Sequence, residues 1–67
     1  MRQAIKLIRD DEPMELDDLN DGDEVSYEYA TGNVLRIVDK DGNEKWKAAR
    51  EPQGRVGHMR AVRAAKQ

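Results

Sequence analysis

The run from Glu24 to Ala48 constrains this chain most, because it reads as three short extended arms separated by turn residues. In Glu24 to Tyr29, the apolar Val25, Tyr27 and Tyr29 alternate with Glu24, Ser26 and Glu28, the period of two that a half-buried strand requires. Ala30, Thr31, Gly32 and Asn33 form a Gly-containing link suited to joining hairpin arms. Val34 to Val38 follows, β-branched and apolar except at Arg36, and reads as the central strand. Asp39 to Asn43 contains Asp-Gly, which supplies the positive φ of a tight turn, and Glu44 to Ala48 is the third arm, with Trp46 between Lys45 and Lys47. Three antiparallel arms with one apolar face are about the minimum for independent stability.

The flanks are assigned by extension. Ile5 and Leu7 alternate with Lys6 and nothing upstream offers an N-cap, so residues 3–9 read as a further strand rather than a helix. Residues 10–23 read as an acidic loop containing Pro13, with Met14, Leu16 and Leu19 as its anchors to the core. After Pro52, residues 53–67 form a basic C-terminal segment. Its stretch from Met59 to Lys66 places His58, Ala61, Val62 and Ala65 on one helical face and Arg60, Arg63 and Lys66 on another. A closing strand from Arg55 to Arg60 is the alternative. The expected architecture is a single mainly β domain over 1–67, with strands near 3–9, 24–30, 34–39 and 44–49. It is a curled antiparallel sheet or an SH3-like small barrel of four or five strands with a short basic C-terminal helix or tail; a small α+β arrangement is the variant.

Composition limits what such a domain can do. Only 37% of the 67 residues are hydrophobic and 39% are charged, so apolar area for burial is scarce. No cysteine is present to staple a small core, and a single His58 cannot supply a histidine cluster. Self-association is the remaining staple. No apolar run approaches the roughly 18 residues of a membrane span, and the N-terminal stretch lacks the apolar core of a signal peptide. The expectation is a cytoplasmic, unprocessed protein with no membrane association.

Charge is strongly segregated. Residues 1–9 carry +3, residues 10–35 carry −10 with no basic residue, and residues 36–67 carry +5. Such a field steers partners without naming them. Counted from Asp17, a calcium loop would place Asp21, Gly22 and Glu28 suitably, yet Leu19 occupies a ligand position and the exit is a strand, so no metal site is expected. There is no Cys nucleophile, no Gly-rich phosphate loop and no His pair. A chain this short and polar also has little capacity to enclose a pocket. Neither an enzyme nor a cofactor is expected, and His58 reads as a surface or partly packed residue.

The sequence Leu19-Asn20-Asp21-Gly22-Asp23-Glu24-Val25, followed by Gly32-Asn33-Val34 and Asp41-Gly42, resembles the strand and turn rhythm of SH3-like, Tudor-type and KOW-type small barrels. The resemblance covers about a third of the chain. It implies a module that binds nucleic acid, peptides or larger protein machines without catalysis.

Three functional expectations follow. The first is a non-enzymatic accessory or inhibitor protein, compatible with a phage or mobile-element origin, that docks on a protein assembly through Asp17, Asp18, Asp21, Asp23, Glu24 and Glu28. The second is a nucleic-acid-binding module using Lys45, Trp46, Lys47, Arg55, Arg60, Arg63 and Lys66, with Trp46 either stacking on a base or serving as core. The third is a structural subunit of a homo-oligomer that pairs its opposite charges head to tail.

Overall fold

In the computed structural model, residues 6–62 are described, apart from the side chain of Leu16. The chain is mainly β, with strands β1 (Leu7–Arg9), β2 (Glu12–Met14), β3 (Glu24–Glu28), β4 (Val34–Val38), β5 (Glu44–Lys47) and β6 (Val56–Arg60). One 3-10 turn, Leu16–Asp18, supplies the only helical geometry among the described residues. β1 and β2 form a hairpin, and the other four strands form an antiparallel sheet in the order β5-β4-β3-β6. The sheet is open at β5 and β6 and does not close into a barrel.

The meander forms where its alternation and turns place it. Val25 pairs with Ile37, and Ile37 with Trp46, so one row of inward side chains runs through all three arms. Between β4 and β5, Gly42 takes φ +89° and donates its N–H to Asp39 O at 3.0 Å. The Asp39 carboxylate accepts from the Asp41 and Asn43 N–H groups, both at 2.9 Å. That is an Asx-type turn built by the Asp-Gly pair and its upstream Asp.

Two expectations are corrected. The acidic stretch 10–23 is not simply a loop: Asp10 and Asp11, at φ 53° and 66°, make a two-residue turn of the I′ kind that returns the chain as β2. Pro13 sits opposite Ile8 in this pair, where an edge position tolerates its missing N–H. The helix expected from Met59 is the second correction. Met59 and Arg60 belong to β6, which pairs along the whole of β3 from Glu24↔Arg60 to Glu28↔Val56. That pairing satisfies backbone groups along both strands, whereas a short isolated helix is marginal in water. Ala61 extends the ladder by exchanging hydrogen bonds with Gly22 and Asp23. Residues 3–5 of the first expected strand, and Arg63, Ala65 and Lys66 of the expected helix, lie outside the described residues.

The molecule has two layers. Leu7, Met14 and Leu19 from the hairpin side pack with Val25, Tyr27, Val34 and Ile37 from the sheet in one buried cluster, against which Trp46, Met59 and Ala61 rest. Met14 and Leu19 therefore anchor the acidic stretch as expected, while the side chain of Leu16 lies outside what is described. The layers are tied by backbone as well: Ile8 donates its N–H to Gly32 O at 2.9 Å. Gly32 sits at φ +80°, and a Cβ there would fall on the carbonyl oxygen of Lys6.

Candidate interaction surfaces

The fate of each carboxylate is set by its place in the strand geometry. Asp10, Asp11, Glu12, Glu15, Asp17 and Asp18 are exposed, and all belong to the hairpin or to the turn that follows it. Asp21 is exposed at the entry to β3. Glu24 is half-buried on β3 and lies 3.9 Å from the Arg60 guanidinium.

Asp23 and Glu28 have structural positions instead, at 1% and 8% exposure. Asp23 Oδ2 accepts from the Asn20 N–H at 2.9 Å and from Lys45 Nζ at 2.8 Å. The lysine bond, assisted by the backbone donor, holds this carboxyl below the usual carboxylate range against the opposing effect of burial. Lys45 reaches it because it is the extra residue of a bulge: Trp46 opposes Ile37 and Glu44 opposes Val38, leaving Lys45 unpaired between them.

Glu28 falls on the outer face by alternation, but the segment joining β5 to β6 folds over it. Its oxygens accept from the Gln53 N–H at 2.7 Å and from the Thr31 hydroxyl at 2.8 Å, and the backbone donor is the main reason its pKa is lowered. Asp39 is likewise lowered, chiefly by the Asn43 N–H. Alternation alone places Glu28 on a wet face, so the covering segment is what the local pattern misses.

The basic residues separate in the same manner. Trp46 is half-buried against the core with the Arg9 guanidinium 6.0 Å from its ring, and Lys45 is committed to Asp23. Lys47, by contrast, is exposed on the outer face of the sheet. There Lys47 opposes Arg36, Arg36 opposes Ser26, and Ser26 opposes His58. One polar row thus crosses all four strands, with Ser26 Oγ and His58 Nδ1 3.1 Å apart. Arg36 shares its Nε with Glu44 at 2.7 Å. Arg60 lies at the far end of β6, and Arg55 is exposed just before that strand. Arg63 and Lys66 lie outside the described residues.

Among the described residues no three His, Asp or Glu side chains converge as metal ligands, and no helix is long and apolar enough to cross a membrane. The cleft beside Trp46, at about 150 Å³, is below the usual size of a small-molecule site. The sheet thus separates an acidic layer from a mixed, partly basic outer face. No family model, curated protein or solved structure matches this chain.

Proposed function

We propose that this chain is a non-enzymatic interaction protein that docks on a larger protein assembly through its acidic hairpin layer. The observation that carries the reading is the exposure of Asp10, Asp11, Glu12, Glu15, Asp17 and Asp18 together on one layer. Asp23 and Glu28 are withdrawn from that surface into internal hydrogen bonds. The ten carboxylates of residues 10–35 thereby reduce to a smaller set that meets solvent, and the docking surface moves toward the N-terminal side of the acidic block. Clustered exposed carboxylates favour a basic partner and raise its encounter rate more than its final affinity. The likeness of the strand rhythm to SH3-like modules supports binding over catalysis.

The test is crosslinking capture from the native host with wild-type chain beside the triple variant Glu12→Lys, Glu15→Lys, Asp18→Lys. The expected result is a protein with a basic surface captured by the wild type at low salt and lost by the variant, whose fold is verified by circular dichroism. Equal capture by both chains would overturn the reading.

A further inference from the structure

On the face of the sheet opposite the hairpin lies an open groove of about 480 Å³. Ser26, Arg36 and Lys47 form its floor, and the start of the β5–β6 connection forms its wall, with Arg50, Glu51 and Pro52. It holds three cations and one carboxylate. Its cations are exposed: Arg36 Nε donates to Glu44 at 2.7 Å, with the two side chains 50% and 42% exposed, and among the described residues the Lys47 side chain makes no hydrogen bond or ion pair. Arg50 acts at longer range on Glu28 and pairs with Asp11 at 3.8 Å, with the two side chains 66% and 89% exposed. Such an exposed pair contributes little and yields readily to a better anion. Beyond the groove the polar row continues through Ser26 to His58 on β6. It spans about 14 Å at three strand spacings of ~4.8 Å, longer than one phosphate group requires.

We propose that this groove binds the phosphodiester backbone of a single-stranded nucleic acid without reading its bases. Arg36 and Lys47 supply charge-assisted donors to phosphate oxygens, Arg50 closes over them from the wall, and the Ser26 hydroxyl completes the floor. Arg36 and Lys47 face each other across the strand pair with Arg50 at the wall, a short line of charge that suits a single phosphodiester backbone; a duplex bound as tightly as the strand would overturn the single-strand reading. No aromatic side chain lines the groove. Tyr27 and Trp46 belong to the inward rows, and the Tyr29 ring lies against Gly57. Without a stacking platform the phosphates are left as the source of affinity, and that contact is blind to sequence. The groove and the acidic layer lie on opposite sides of the sheet and touch through the exposed Arg50–Asp11 pair, and binding in the groove does not rest on the docking proposed above.

The experiment is fluorescence anisotropy of a labelled oligo-dT strand titrated with the full chain across a range of salt concentrations. Three phosphate contacts at about −0.7 each give an expected slope of log K against log salt near −2. Lys47→Gln and Arg50→Gln should each weaken binding about tenfold at low salt and lower the slope by about 0.7. The Glu12→Gln, Glu15→Gln, Asp18→Asn chain, which thins the acidic layer without adding cations, should keep the same slope, which separates failure here from failure of the docking reading. A mixed-sequence strand should bind as tightly as oligo-dT. Silence at low salt, an unchanged slope in both glutamine variants, or a strong base preference would overturn the proposal. So would a phosphoserine peptide that binds as tightly as the strand.

Discussion

The hairpin with its following turn and the two ends of β3 both carry carboxylates but treat them in opposite ways. In the hairpin and its following turn every Asp and Glu stays at the surface. In the sheet, Asp23 and Glu28 are buried at the two ends of β3, each accepting one backbone N–H and one side-chain donor. The difference teaches that a run of negative charge is not one feature. A carboxylate at a strand terminus meets unpaired N–H groups and becomes part of the fold; one on the hairpin or its turn stays at the surface, where its contacts, such as the Asp11–Arg50 pair at 3.8 Å, are exposed.

That contrast can be broken most directly where the layers join. Gly32→Ala forces a side chain onto the Lys6 carbonyl at a positive φ, and is expected to cost about 2–4 kcal/mol. Urea unfolding measures the loss; a change below about 1 kcal/mol would mean the layers are not held through this contact. Asp23→Ala removes a buried acceptor and leaves Lys45 and the Asn20 N–H without it. About 2–3 kcal/mol is expected, discounted because Lys45 is about a third exposed. A matching substitution in the hairpin, Glu12→Ala, should change stability by no more than about 0.5 kcal/mol.

Acidification probes the same asymmetry without mutation. Asp23, Glu28 and Asp39 all have folded-state pKa values below their ordinary ones. Their stabilisation is therefore complete above the usual carboxylate range and is lost as pH falls through that range and then through the lowered values. Thermal midpoints should be level near neutrality and drop on acidification, with a smaller drop in Asp23→Ala. An equal drop in that variant would remove Asp23 from the account.

The smallest effect sharpens the hairpin itself. Asp11 adopts φ 66° without being glycine, so Asp11→Gly should stabilise by about 0.5–1 kcal/mol, since Asp-Gly is a preferred I′ pair. The lost contact with Arg50 is exposed and offsets little of this gain. Chemical denaturation detects the increase, and a decrease would show that the Asp11 side chain does more in the turn than its backbone angle suggests.

Much of the sheet is legible in the sequence. Val25 and Tyr27, Val34 to Val38 and the Asp41-Gly42 turn each carry a local signal that the tertiary structure respects. The hairpin is less legible, because Asp10-Asp11 supplies positive φ without glycine and Pro13 argues against a strand. β6 matches the alternative of a closing strand from Arg55 to Arg60, which competes with a helical spacing through His58, Ala61 and Val62, and its pairing with β3 decides the outcome. The interaction surfaces were legible in charge but not in exposure. The burial of Asp23 depends on a bulge at Lys45, and that of Glu28 on a crossing segment; neither leaves a periodic trace. The Asn20-Asp21-Gly22-Asp23 turn was the available hint, since an Asp at the end of such a turn is placed to accept a nearby N–H.

The pairing of β3 with β6 also bears on how the chain folds. β3, β4 and β5 are joined by short turns, whereas Ser26 meets His58 across 32 residues. Loop closure over that separation comes before its contacts can compensate, which slows barrier crossing relative to local pairing. The meander is then expected to be ordered in the folding transition state, with substitutions at Ile37 slowing folding. Substitutions at Met59, on the late-arriving strand, should mainly accelerate unfolding.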